Sequence, residues 1–152
     1  MHMSPASADL IKQEWGDTSA LVVGRHLYDI TNAWGGRHPL GVTTVVLTHN
    51  PPADRPLADE NFVFVTDGIQ SAVGAAQQIA GDKAVIVNGG QIARQCLETG
   101  LLDEISIELV PVVLGARHPL FADLRTPPTQ FEGPTKIVEG TGVTHLCYRV
   151  KR

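Results

Sequence analysis

The chain has 152 residues, 43% of them hydrophobic and 18% charged, with 12 Lys and Arg against 16 Asp and Glu for a formal net charge of -4. That is one domain's length, enough to bury about two thirds of the unfolded surface in one core, and the composition excludes disorder and collagen-like repeats. The acidic balance and the lack of a basic stripe exclude nucleic acid as the main partner, and no apolar run approaches the roughly 20 residues of a membrane-spanning helix.

Ser4 followed by Pro5 predicts a capped helix start, with Leu10, Ile11 and Trp15 on one face and a stop near Gly16. Residues 20–23 form an unbroken apolar run of strand length. Gly24 and Arg25 then turn the chain into a helix carrying Leu27, Ile30 and Trp34, which breaks at Gly35 and Gly36. Residues 42–48 read as a second, β-branched strand, ended by Asn50, Pro51 and Pro52. The strand and helix pattern recurs: a strand at 62–65, a helix face made by Ile69, Val73, Ala76, Ile79 and Ala80, and an apolar strand at 84–87. Asn88, Gly89 and Gly90 lead into a helix with Ile92, Cys96 and Leu97 on one side and Gly100 as its C-terminal cap.

Ile105, Ile107 and Leu109 alternate with Glu104, Ser106 and Glu108, the pattern of a half-covered strand near an edge or interface. Residues 115–130 are rich in proline and predict a long loop with one anchored turn at Leu120 and Phe121. Residues 135–139 and 144–150 flank Gly140, Thr141 and Gly142 as an antiparallel hairpin. The expected architecture is a single α/β domain over residues 1–152, a mostly parallel sheet flanked by helices and finished by that hairpin. The two cysteines, Cys96 and Cys147, lie among apolar neighbours and are expected as buried free thiols, which suits a cytoplasmic protein.

Ligands of open parallel sheets gather at the carboxyl ends of the strands, and three such ends carry chemistry here. Gly24, Arg25 and His26 combine a tight turn, a helix start and a guanidinium, a favourable place for an anion. Thr48 and His49 add a hydroxyl and an imidazole at the neighbouring strand end. Asn88, Gly89, Gly90 and Gln91 offer backbone that can approach a pyrophosphate closely. Taken singly each has a plainer reading: Gly-Gly as a compact turn, and an arginine near a helix start as a solvated or salt-bridged group. Together they sketch a phosphate-lined cleft.

There is no G-x-G-x-x-G with a following ribose-binding acid, which disfavours a standard NAD domain, and an arginine suits the extra phosphate of NADP. The histidines lack metal-ligand spacing and no G-x-S-x-G turn occurs, so metal and serine-nucleophile chemistry are disfavoured. Asp103 and Glu104 read as capping and solubilising groups. No residue is assigned a catalytic role.

The segments Val22-Val23-Gly24-Arg25, Val87-Asn88-Gly89-Gly90, Leu101-Leu102-Asp103-Glu104, Pro111-Val112-Val113-Leu114-Gly115 and Pro119-Leu120-Phe121 stand in a distinctive order. In these the chain resembles the reductase domain of bacterial riboflavin-biosynthesis deaminase-reductases, over residues 20–150. The resemblance implies a dihydrofolate reductase-like fold and NADPH-dependent hydride transfer to a pyrimidine-like or pteridine-like small molecule. It places Gly24, Arg25, Thr48 and His49 near the adenosine phosphate and Asn88 to Gln91 at the pyrophosphate. It also implies a strand with a Ser-Leu-Asp-Gly-like turn ahead of the first helix, central in the sheet, which has no counterpart here. Leu27 stands where a hydroxyl residue is common, and Ala116, Arg117 and His118 replace a glycine-rich segment. A homodimer is expected, and the alternative to an enzyme is a non-catalytic dimeric nucleotide-binding module.

Overall fold

The computed structural model describes residues 3–115 and 119–152; the departure at Ala116, Arg117 and His118 lies outside the described residues. Four strands, β1 (Thr18–Gly24), β2 (Thr43–Leu47), β3 (Phe62–Val65) and β4 (Ala84–Asn88), form a fully parallel sheet in the order β3-β2-β1-β4. The two-residue side-chain period sends alternate positions to opposite faces. Val22 pairs with Val45 on one side and Val87 on the other, and these valines meet Ile69, Val73 and Ala76 of α3 (Ile69–Ala80). Ile92 and Cys96 of α4 (Gly90–Glu98) complete that layer.

On the opposite face, Val23, Val46, Phe62 and Phe64 pack beneath Tyr28 of α2 (Arg25–Ile30). The Tyr28 ring meets Phe62 and Phe64 edge-on, with centroids 5.2 and 5.4 Å apart. Each such buried side chain contributes about 1.5–3 kcal/mol from apolar burial, so the sheet is held from both sides.

A second sheet is antiparallel: β5 (Glu104–Leu109), β7 (Val143–Val150) and β6 (Phe131–Gly140), with β7 in the middle. The expected hairpin is therefore present, with a longer first arm and a third strand. Among the described residues no ladder joins β4 to β5, so each presents an unpaired edge. The bridge between the sheets is α1 (Pro5–Gly16), capped by Ser4 Oγ accepting from Ser7 N at 3.2 Å. Ser7 Oγ lies 2.9 Å from His145 Nε2 of β7, both residues being buried. No strand precedes α1 among the described residues.

Several expectations need correction. Of the predicted α1 face only Leu10 is buried, and Trp15 is exposed, because Ser7 rather than Trp15 meets the second sheet. Ile79 of the predicted α3 face is exposed, while Ile69, Val73, Ala76 and Ala80 are buried. The helix after Gly24 ends at Ile30, which is 65% exposed. Asn32, Ala33 and Trp34 then adopt left-handed conformations, φ 50, 51 and 48°, so the break precedes the Gly35-Gly36 pair. Left-handed backbone costs about 1–2 kcal/mol per residue. Burial of Ala33 and packing of Trp34 against the Tyr28 cluster oppose that cost. Leu109 ends the β5 alternation exposed, and Cys147 is only partly buried. No helix among the described residues is long and apolar enough to cross a membrane.

Candidate functional site

The carboxyl ends of β1, β2 and β4 open into one cleft of about 1000 Å³. Gly24, Arg25 and His26, Thr48 and His49, and Asn88, Gly89, Gly90 and Gln91 all line it. The parallel sheet is what gathers them, since strands running the same way put all their following turns at one end.

At the β1 end, Gly24 caps α2 and Arg25 begins it. The Arg25 side chain is committed: Nε donates to Asp29 Oδ1 at 2.7 Å and Nη1 donates to the Asn50 carbonyl. The plainer, salt-bridged reading of this arginine thus describes its geometry here. At the β2 end, Asn50 N donates to Thr48 Oγ1 at 3.2 Å, folding the chain back after the strand.

At the β4 end the two glycines do different work. Gly89 has φ 104°, a conformation side-chain-bearing residues rarely adopt, and a Cβ there would meet nothing within 4 Å. Gly90 begins α4, and a Cβ there would come 2.7 Å from the Leu120 carbonyl oxygen. Gly90 is therefore required by packing against the loop as well as by access to the cleft. The far end of α4 is fixed by a Schellman cap: Gly100 N donates to Leu97 O and Leu101 N to Cys96 O, with Gly100 at φ 71°.

The turn expected at Leu120 and Phe121 is present, and Pro119, Leu120, Ala122 and Asp123 around it form a wall of the cleft. Arg94 Nη1 donates to Asp123 O at 3.2 Å, and Arg125 N donates to Glu98 Oε1 at 2.9 Å. Arg94 could have been found in the sequence, since it lies four residues after Gly90 and shares its helix face. The turn at Leu120 and Phe121 is legible in the sequence, but its place against α4 is not, because that depends on a carbonyl approaching Gly90 from far along the chain. Thr66, Arg94 and Gln95 also line the cleft. Among the described residues its lining carries two guanidinium groups, Arg25 and Arg94, and one carboxylate, Asp123, with the imidazoles His26 and His49 beside them. With Arg25 paired to Asp29, what the cleft offers an anion is hydrogen-bond donors, the Arg94 guanidinium and the backbone N–H groups of the Gly89 to Gln91 turn.

No family model matches the chain. It is 27% identical over 105 residues to the uncharacterised protein YwjB of Bacillus subtilis (strain 168), covering 68% of this chain and 59% of that one. It is 30% identical over 67 residues to YyaP of the same organism, covering 44% and 36%. The chain thus spans about three fifths and about a third of these curated relatives. Among solved structures, a Shewanella sp. PV-4 protein assigned to riboflavin biosynthesis superposes with a TM-score of 0.71 at 20% identity, covering 93% of this chain and 78% of its own. Two forms of Acinetobacter baumannii RibD give TM-scores of 0.62 and 0.60 at 14% and 12% identity, covering 96% and 97% of this chain and 51% of theirs. The chain has the dihydrofolate reductase-like fold of the RibD-type reductase domain.

Proposed function

We propose that the protein is an NADPH-dependent reductase acting on a pyrimidine-like or pteridine-like heterocycle, of the kind exemplified by 5-amino-6-(5-phosphoribosylamino)uracil. The observation that carries this reading is the donor-lined cleft at the strand ends, with the Asn88 to Gln91 turn on one side and the Gly24 to His26 and Thr48 to His49 turns on the other. The residues fit a dinucleotide: the volume is that of a small-molecule site, the Gly89 side is open, and donors outnumber carboxylates. Gly89, Gly90 and Gln91 would hold the diphosphate, and Gly24, Arg25, His26, Thr48 and His49 the adenosine ribose and its phosphate. The nicotinamide supplies the hydride when bound, and the protein's part is to hold and orient. We read the assembly as a cytoplasmic homodimer, a view supported by free thiols at Cys96 and Cys147 and by unpaired strand edges.

Titration with NADPH and NADH, followed by nicotinamide fluorescence and calorimetry, tests the reading. Saturable binding with preference for NADPH is expected; absence of binding by either contradicts it. A second reading, a non-catalytic dimeric nucleotide-binding module, is favoured by the apolar edge of β4, whose residues 84–87 carry no charge to block strand pairing. NADPH binding without oxidation across a panel of pyrimidine and pteridine substrates would favour the module.

A further inference from the structure

We propose that Arg94, rather than Arg25, supplies the cation that holds the diphosphate of the ligand in this cleft. The inference rests on the dinucleotide reading of the cleft and names the residue that would carry its central charge. Both arginines line the cleft, yet their charges stand in opposite situations. Arg25 is paired with the Asp29 carboxylate and braces the Asn50 carbonyl. Arg94 has no ion pair among the described residues, and the sequence at 116–118 contains no acid that could give it one.

Arg94 has five N–H donors, and its one side-chain hydrogen bond among the described residues runs from Nη1 to the neutral Asp123 carbonyl. Its Nε is buried and has no hydrogen-bond partner among the described residues. The nearest acid along the helix, Glu98, is turned to Arg125 N instead. The Asp123 carboxylate lines the same cleft but makes no ion pair with Arg94 among the described residues, and a partly buried guanidinium so placed favours an incoming anion. Arg94 sits one helical turn beyond Gly90, on the β4 side of the cleft, where the Gly89 to Gln91 turn also faces the ligand. The group within its reach is therefore the one bound at that turn, present in NADPH and NADH alike, and not the 2'-phosphate that separates them.

The test is calorimetric titration of the wild-type protein and of R94Q, E98A and R149Q with NADPH, NADH and inorganic pyrophosphate. R94Q is expected to weaken all three by about tenfold or more, the effect of removing a charge-assisted hydrogen bond. R149Q changes net charge equally on β7, outside the cleft, and is expected to stay within twofold. E98A removes the acceptor that is the other fastening of the wall and leaves the Arg94 guanidinium in place; losses equal to those of R94Q would mean that Arg94 only positions the wall, which overturns the proposal. R94Q within twofold of wild type also overturns it, while leaving the reductase reading intact. Arg94-dependent binding of pyrophosphate with no binding of either dinucleotide would sink the reductase reading and keep this one. Binding of none of the three by the wild-type protein sinks both. Should R94Q fail to fold, the Nε–H resonance of Arg94 in the wild-type protein, identified by its absence in R94K, replaces it. A shift on adding pyrophosphate is expected, and an unmoved resonance overturns the proposal.

Discussion

Arg25 Nε donates to the Asp29 carboxylate at 2.7 Å, one helical turn along α2, while its Nη1 holds the Asn50 carbonyl at the end of β2. The turn after β1 is thereby tied to the turn after β2 by the one side chain the sequence singled out as a phosphate reader. Half-exposed i,i+4 pairs of this kind contribute only about 0.3–0.5 kcal/mol, so Asp29 is cheap to remove. D29N is expected to leave the melting temperature nearly unchanged and to raise the preference for NADPH over NADH by freeing the guanidinium. R25Q is expected to lower that preference. Unchanged ratios in both variants, measured by fluorescence titration, would remove Arg25 from 2'-phosphate recognition.

Gly90 and the wall make a second prediction. A methyl at Gly90 lies 2.7 Å from a backbone carbonyl, which cannot swing aside as a flexible side chain would. G90A is expected to displace residues 119–123, costing about 1–3 kcal/mol of stability and weakening nucleotide binding severalfold. Thermal melting and titration of the same sample check both parts, and wild-type binding by G90A would mean that the wall does not shape the site.

His38 gives the fold a pH dependence. Burial holds its imidazole below the ordinary value, and Leu40 N donates to Nδ1, so that nitrogen is an acceptor in the folded state. As pH falls through about 6.5 the unfolded chain takes up the proton first. The stabilising contribution is therefore full above that pH and is lost on acidification toward the lower folded value. Denaturant midpoints at pH 7.5 and 5.5 should fall farther in the wild-type protein than in H38Q; parallel falls would contradict this.

The two thiols should separate kinetically. Cys96 is fully buried beneath the parallel sheet and its thiol is pushed up to about 11 by burial, whereas Cys147 is partly accessible on β7. Since the thiolate is the reactive form, a thiol reagent at pH 8 should modify Cys147 in the folded protein and Cys96 only on unfolding. C147S should abolish the fast phase; its persistence would place Cys96 within reach of solvent.

The alternation of apolar strands with helical faces was legible because each element's period agrees with its place in the sheet: Val22, Val45 and Val87 stack in register, and Gly100 closes α4 where its φ of 71° demands glycine. The strand-end residues were legible for the same reason, since parallel order brings the turns after 24, 48 and 88 together. The left-handed run at Asn32, Ala33 and Trp34 was not, because two of these residues have no intrinsic preference for it and only packing holds them there. The Arg25–Asp29 pair was visible as an i,i+4 spacing but carried no sign of its partner at Asn50. The wall against α4 depends on contacts roughly thirty residues apart, which no local pattern encodes.

The most direct test of the account is a nuclear magnetic resonance titration of the wild-type protein with NADPH, following backbone amides. Saturable shifts are expected at Gly24, Arg25, Thr48, Gly89, Gly90 and Gln91, around the cleft at the carboxyl ends of β1, β2 and β4. No shifts, or shifts confined to the antiparallel strands β5, β6 and β7, would contradict the assignment of this cleft as a dinucleotide site.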